Sequence, residues 1–316
     1  MAASGICGAD LHVYKGLPAA WPTPGIRGHE FAGTVSAWAD DVRGFEQGDR
    51  VVGQPLVTRG QCRFCRSGQT NLCANVYLIG GEQPGGFAER VAVPVSSLFR
   101  VPDNLSLKQA ALVETLATSV HAFERNLTGI LRSVAVLGAG AQGLFAVQLA
   151  RLAGAKLIAV SETLSNRLAI ALKLGATRAI HAGQENVVET VLDLTDGEGV
   201  DLVIEAAGKA ATRQQATQLL RPGGTAVFLA LGAELTPIDF MSVVPRELHL
   251  RGTHCYTDAD FCLAIELLSD REIIVDPLIT EMPLQNGLAA FEALASSISR
   301  AAPCSIPKLI KDSLRD

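Results

Sequence analysis

Val134-Ala-Val-Leu-Gly138-Ala-Gly140-Ala-Gln142-Gly143 is an apolar strand that breaks into glycines, after which an apolar-periodic stretch resumes from Leu144 to Leu152. A strand that turns on glycines into a helix is the sequence form of a dinucleotide loop. Gly138 suits the tight turn, Gly140 lets a pyrophosphate approach the backbone, and Gly143 allows the helix to pack closely. The helix amino terminus then faces the phosphates. Gln142 lies inside the loop and is taken with it as a candidate cofactor contact. Glu162 follows Gly143 by 19 positions, at the end of the next predicted strand. There its carboxylate would accept hydrogen bonds from the adenosine ribose hydroxyls and repel a 2′-phosphate, which favours NAD over NADP. The plain alternatives are a glycine-rich turn without a ligand and, for Glu162, a solvated surface carboxylate.

Outward from this stretch, short apolar strands alternate with helix-like segments from Ser133 to about Thr257, which predicts βαβ units and a parallel sheet. The predicted strands are Ser133 to Leu137, Lys156 to Ser161, Asp201 to Glu205, Thr225 to Ala230 and Leu248 to Gly252, with a weaker one at Arg178 to His181. Residues 1 to about 118 have another texture: Gly, Pro and short β-branched runs such as Gly33-Thr-Val, Arg50-Val-Val and Glu89-Arg-Val-Ala-Val. That texture predicts irregular β structure. From Asp258 onward, amphipathic segments at Asp260 to Leu268 and Gly287 to Ala295 are too short for a core of their own and are expected to pack back on the first region. The expected division is therefore 1–118, 119–257 and 258–316.

Two clusters near the amino terminus carry metal-ligating chemistry: Cys7-Gly-Ala-Asp10 and Gly28-His29-Glu30. A thiolate, an imidazole and carboxylates suit zinc better than any other common ion. A catalytic zinc site needs three protein ligands and an open position, and Cys7 and His29 supply two of them. Glu30 or Glu114 could supply the third. Asp10, three residues after Cys7, is placed to accept the second imidazole N–H of His29 and fix its tautomer. Spacing alone equally allows a small buried thiol at Cys7 and a hydrogen-bonded loop histidine at His29.

With 316 residues, 48% of them hydrophobic and 19% charged, the chain can bury a large core in two domains. A formal net charge of -5 with mixed signs offers no basic face for a phosphate backbone, so nucleic acid is not an expected partner. The most apolar region, 134–160, is interrupted by Gln142, Arg151 and Lys156 and lacks the roughly 20 apolar residues of a membrane span. The first residues, Met-Ala-Ala-Ser-Gly, carry neither the basic nor the apolar segment of a signal peptide, which makes the cytoplasm the default expectation. Seven cysteines, with a Cys62-x-x-Cys65 pair, read as metal ligands or buried thiols rather than disulfides. Cys255, Cys262 and Cys304 have no spacing that suggests a site and read as buried thiols.

Together these residues resemble the zinc-containing medium-chain dehydrogenases, and more closely their polyol branch, the sorbitol and threonine dehydrogenase-like proteins. The segments that carry the resemblance are Gly5-Ile-Cys7-Gly-Ala-Asp10-Leu-His12, Gly28-His29-Glu30-Phe-Ala-Gly33, Gly48-Asp49-Arg50-Val51, Gly85-Gly-Phe87-Ala-Glu89, Glu114-Thr-Leu116 and the glycine loop. The resemblance implies an α/β fold: a GroES-like catalytic domain of irregular β structure, completed by the carboxyl-terminal segment, plus a Rossmann doubly wound parallel sheet. It makes Cys7, His29 and Glu30 zinc ligands and Glu114 an alternating or nearby carboxylate. Arg167 matches a residue that family members place against the adenosine end of the cofactor, and the loops Leu229 to Leu231 and Thr253 to Cys255 match those flanking the nicotinamide. A homodimer or homotetramer is also implied.

Three positions depart from the family pattern. Cys62, Cys65 and Cys73 match the last three thiolates of a structural zinc site, whereas Arg59 stands where the first belongs. Ala9 occupies the position of a Ser or Thr hydroxyl that relays the substrate proton, which leaves water, His12 or a cofactor ribose hydroxyl for that task. Cys7 also lies nearer the amino terminus than in relatives, so roughly 30 residues of early β structure are expected to be missing from this chain. The expectation is NAD-linked, zinc-dependent oxidation of a secondary alcohol, a polyol, diol or hydroxy amino acid, to a ketone. A catalytically silent cofactor-binding homologue and a zinc-free, NADPH-dependent enone or quinone reductase are the alternatives.

Overall fold

The chain from Ser133 onward lays down parallel strands because each apolar run is too short for a helix and is followed by an amphipathic segment long enough to cross back over the sheet. The computed structural model describes residues 1–17, 25–127, 130–232, 235–299 and 308–311. They form two units, Met1–Ala117 with Cys255–Asp316, and Thr118–His254. Strands β1 (Ala3–Gly5), β2 (Glu30–Thr34), β3 (Arg50–Gly53), β4 (Leu56–Val57), β5 (Tyr77–Leu78) and β6 (Leu98–Arg100) belong to the first unit. Strands β7 (Ser133–Leu137), β8 (Leu157–Glu162), β9 (Arg178–His181), β10 (Val200–Glu205), β11 (Leu220–Phe228) and β12 (His249–Gly252) form the second, and β13 (Thr280–Pro283) and β14 (Lys308–Lys311) return to the first.

In the second unit the six strands are all parallel, in the order β12-β11-β10-β7-β8-β9. The chain runs outward through β8 and β9, then restarts on the other side of β7 with β10. This reversal between β7 and β10 opens a crevice at the carboxyl ends of those two strands, where ligands of doubly wound sheets bind. Val134, Val136, Ile158, Val160, Ile180, Val203 and Ile204 are buried in the sheet, with Leu144, Phe145 and Val147 of helix Ala141–Leu152 against it. Each such side chain contributes about 1.5–3 kcal/mol by leaving water. Strand β11 starts at Leu220, five residues earlier than the expected start at Thr225. Leu220 is fully buried and pairs with Val200, and a shift in register between Val200 and Leu202 absorbs the glycines.

In the first unit a six-stranded sheet runs β13-β14-β1-β2-β3-β6, with β4 and β5 as a separate pair. The carboxyl-terminal segment supplies β13 and β14 and the helices Asp258–Ser269 and Gly287–Ser299. Ala290 and Leu294 pack with Ile6 and Leu11, and Phe87, Met282 and Phe291 close the cluster. Thr257 caps the helix Asp258–Ser269, its hydroxyl accepting from the Asp260 amide while Asp260 accepts from the Thr257 amide.

Two expectations need correcting. Glu89 to Val93 is no strand: it stays outside the ladders of the sheet, and its backbone bond is to the terminal ammonium of Met1, which donates to the Glu89 carbonyl. Cys262 is exposed on its helix rather than buried, and Cys255 is half-buried with its thiol pushed by burial up to about 12. Cys304 lies outside the described residues. No helix among the described residues is long and apolar enough to cross a membrane.

Candidate functional site

In the first unit, the pairing of β1 with β2 brings the two metal-ligating clusters together. The register sets Gly5 opposite Glu30, so Cys7, two residues past β1, comes beside His29 and Glu30 at the start of β2. Cys7 is the amino-terminal cap of helix Gly8–Tyr14, and its amide donates to Asp10 Oδ2 at 3.1 Å. Cys7 Sγ, a His29 ring nitrogen and a Glu30 carboxylate oxygen all lie within 4.8 Å of one another. His29 and Glu30 are buried, and Cys7 is half-buried.

The donor set fits a zinc ion on two observations. Thiolate, imidazole and carboxylate are the three ligand types of catalytic zinc. Glu30 Oε2 is also buried without a hydrogen-bond partner, an arrangement that costs about 1–3 kcal/mol in a closed interior. Burial pushes the Cys7 thiol up, and it pushes Glu30 up to about 7, with the nearby Glu114 carboxylate adding to the effect. For His29, burial alone would lower the pKa, but Asp10 and Cys7 outweigh it and hold the imidazole well above its usual range. A divalent cation reverses this balance, because its charge favours deprotonated ligands.

Asp10 Oδ1 lies 3.7 Å from His29 Nδ1 and 3.4 Å from Arg27 Nε. The first separation is that of an ion pair rather than a hydrogen bond. Glu114, at the start of helix Val113–Glu124, stands outside the three-donor group. Burial raises its pKa, and the buried Tyr256 phenol beside it is raised by burial and then by Glu114. His12 is half-buried on the helix that Cys7 caps, and among the described residues it makes no hydrogen bond to the group. The sequence reading missed Arg27 and Tyr256. Arg27 directly precedes Gly28-His29-Glu30, where a basic residue beside a predicted ligand was the available signal; Tyr256 carries none.

A second group in the same unit gathers Cys62, Cys65 and Cys73, with their sulfurs within 4.8 Å of one another. Cys62 Sγ and Cys65 Sγ are 3.4 Å apart, and the Cys65 amide donates to Cys62 Sγ at 3.5 Å. That amide bond leads the effects that bring the Cys62 thiol down to about 7. Among the described residues no fourth Cys, His, Asp or Glu joins the group, and Arg59 is exposed. Three thiolates supply three of the four positions of a closed structural zinc site.

In the second unit the glycine loop links β7 to helix Ala141–Leu152. Gly138 has a φ of +98°, and its amide donates to the Ser161 carbonyl. A Cβ on Gly143 would stand 1.9 Å from the Gly138 carbonyl, whereas one on Gly140 would meet nothing within 4 Å. The helix packs hard on the turn at Gly143, and open space lies over Gly140, where a pyrophosphate has to approach. Gly140 provides no side-chain cap, so the first amides of the helix are available to an anion.

Glu162 ends β8 against this turn. Its Oε2 accepts from the Ala139 amide at 3.1 Å and pairs with Arg167 at 3.3 Å, and its Oε1 accepts from the Thr163 amide at 2.7 Å. Gln142 Oε1 accepts from the Ser119 hydroxyl at 2.5 Å. The Leu229 and Ala230 amides both donate to the Glu205 carbonyl, Leu231 is exposed, and the Thr253 hydroxyl is buried without a partner.

Residues 1–103 match the alcohol dehydrogenase GroES-like domain and residues 141–270 the zinc-binding dehydrogenase domain. The chain is 33% identical to the L-threonine 3-dehydrogenase of Idiomarina loihiensis, over 93% of this chain and 87% of that protein. A zinc-binding dehydrogenase from Sinorhizobium meliloti, solved with NADP bound, superposes with a TM-score of 0.88 at 34% identity, covering 98% of this chain and 90% of that one. An alcohol dehydrogenase of Escherichia coli solved with NADH also gives 0.88, at 26% identity and the same coverage. A glycine loop on a doubly wound sheet, joined in one chain to a Cys-His-Glu group on a β fold, defines a nicotinamide-dependent, zinc-binding oxidoreductase. The chain belongs to the zinc-containing medium-chain dehydrogenases, the alcohol dehydrogenase superfamily.

Proposed function

We propose that this chain oxidises a secondary alcohol, a polyol, diol or hydroxy amino acid, to the ketone with NAD as hydride acceptor and one zinc ion held by Cys7, His29 and Glu30. The observation that carries the reading is the convergence of those three donors within 4.8 Å, with Glu30 Oε2 buried and without a hydrogen-bond partner. When bound, zinc supplies Lewis acidity to a hydroxyl group and the nicotinamide supplies the hydride acceptor.

The chain's own residues do the rest. Asp10 balances the charge of the His29 ring and ties it, through the Cys7 amide, to the residue that caps the helix. Ala9 offers no hydroxyl, so the substrate proton leaves through water, a cofactor ribose hydroxyl or His12. Glu162 and Arg167 receive the adenosine end, Gly140 leaves room for the pyrophosphate, and Leu229, Leu231 and Thr253 flank the nicotinamide. Glu162 supports NAD over NADP, since its carboxylate lies against the Ala139 amide where a 2′-phosphate would be repelled. The likeness to a threonine dehydrogenase supports the hydroxy amino acid within the substrate class.

The test is zinc per chain by elemental mass spectrometry, in the parent and in a Cys7→Ala/His29→Ala variant, followed by NAD and NADP reduction with a panel of diols, polyols and hydroxy amino acids. Zinc and turnover lost together in the variant support the reading. A parent that binds no zinc even after zinc is added sinks it.

A further inference from the structure

Glu205, the last residue of β10, is fully buried, yet no part of the proposed chemistry uses it. Its Oε1 accepts three hydrogen bonds: from the Ala207 amide at 3.0 Å, the Gly208 amide at 2.8 Å and the Thr212 hydroxyl at 2.7 Å. Its backbone carbonyl accepts two more, from the Leu229 and Ala230 amides at 3.0 and 3.2 Å. One residue thus fixes two loops at the carboxyl edge of the sheet, Ala206–Gly208 by its side chain and Leu229–Ala230 by its main chain.

Those loops touch each other and the glycine turn. A Cβ on Gly208 would fall 2.8 Å from the Leu231 carbonyl, and one on Gly232 would fall 2.0 Å from the Gly208 carbonyl. On the other side, a Cβ on Gly138 would stand 3.1 Å from the Ala207 amide nitrogen, and the Ala206 amide donates to the Leu137 carbonyl at 2.9 Å. Packing this close transmits a displacement of one loop to the next. An acceptor oxygen with three donors ties its segment to the strand end at three points.

We infer that Glu205 is a positioning residue for the nicotinamide end of the cofactor, acting through the Ala206–Gly208 and Leu229–Leu231 loops. The inference rests on the proposed dinucleotide reading of this unit. The adenosine end belongs to Glu162 and Arg167, which sit on β8 and the helix after it.

The experiment uses the full chain loaded with zinc and compares NADH binding, by fluorescence titration, with ADP binding, by calorimetry. In Glu205→Leu the dissociation constant for NADH rises about tenfold, the scale of one or two lost hydrogen bonds, while that for ADP, whose pyrophosphate meets the glycine turn beside Ala207, rises by a smaller factor. Glu205→Gln keeps an acceptor oxygen and restores most of the NADH affinity. Should Glu205→Leu not fold, Thr212→Val, which removes one donor from Glu205 together with the hydroxyl's bonds to the Lys209 backbone, lowers the melting temperature slightly and shows a smaller loss of NADH affinity of the same kind. Equal weakening of NADH and ADP, or no change in either, overturns the inference. A parent chain that binds neither ligand, nor NADPH, overturns the dinucleotide reading itself and this inference with it.

Discussion

Gly5 and Glu30 face each other across the β1–β2 pair so closely that a single methyl on Gly5 would fall 1.9 Å from Glu30 Oε2. The missing side chain is what leaves the carboxylate its place beside Cys7 and His29. Gly5→Ala is expected to push Glu30 out of that place, with an overpacking cost of about 1–3 kcal/mol. Zinc affinity, measured by competition with a chromophoric chelator, falls at least about tenfold, while ADP binding to the second unit is unchanged. Parent-like zinc affinity in Gly5→Ala would remove Glu30 from the ligand set.

The relationship between Gly5 and Glu30 also marks how far the sequence could be read. The glycine loop was legible because its roles depend on spacing within one strand, turn and helix, and those are local. The donor types at Cys7 and His29 were legible too, but their convergence depends on an antiparallel register that no local pattern displays. The strand was expected from Thr225 onward, yet Leu220, before Pro222-Gly-Gly, is drawn into the sheet by complete burial. Cys262 read as a buried thiol because no spacing gave it a site, and only the packing of its helix reveals which side faces water. Glu205 gave no signal, since its importance comes from five donors spread over residues 207 to 230.

Gly140 and Gly143 separate two reasons for glycine in one loop. Gly143→Ala sets a methyl 1.9 Å from a backbone carbonyl, which cannot swing aside as a side chain would. It lowers stability by about 1–3 kcal/mol and dinucleotide affinity with it. Gly140→Ala meets open space within the protein, so its stability cost stays below about 1 kcal/mol. Its methyl instead occupies the approach to the helix amino terminus. Thermal melts with and without NADH distinguish the two: Gly143→Ala melts lower in both, and Gly140→Ala loses only the upward shift that the ligand produces.

Asp201 provides a pH prediction away from the site. Burial alone would raise its pKa, but Arg221, the Arg132 amide and the Ser133 amide outweigh burial and hold it below the usual carboxylate value. The Arg221 Nε and both amides lie within 2.6 to 2.9 Å of its oxygens. A carboxyl with a lowered folded pKa stabilises fully above its unfolded value, about 3.9, and loses that contribution as pH falls through the folded value. Asp201→Asn is therefore less stable than the parent at pH 7, by about 1–2 kcal/mol after solvent screening of a partly exposed group. Urea midpoints of the two proteins converge as pH falls through the folded value of Asp201. A gap that persists unchanged at low pH would contradict the charge-based account.

The three-thiol group in the first unit tests whether donor count alone governs a metal site. Cys62, Cys65 and Cys73 already stand within 4.8 Å of one another, and the Cys62 thiol, brought down to about 7 mainly by the Cys65 amide, ionises near neutral pH. What the group lacks among the described residues is a fourth ligand to close a tetrahedron, and Arg59 adds a positive charge on the same stretch of chain. Arg59→Cys removes the charge and supplies a thiolate in one step. In a Cys7→Ala/His29→Ala background, where the first site is disabled, Arg59→Cys is expected to retain close to one zinc per chain through gel filtration. The same background without it retains far less. Adding Cys62→Ser abolishes the gain, and cobalt substitution shows the absorption of a tetrahedral four-thiolate centre in Arg59→Cys alone. If both backgrounds hold the same zinc, the three thiols bind it with a ligand from solvent, and the missing fourth side chain is no obstacle to metal binding here.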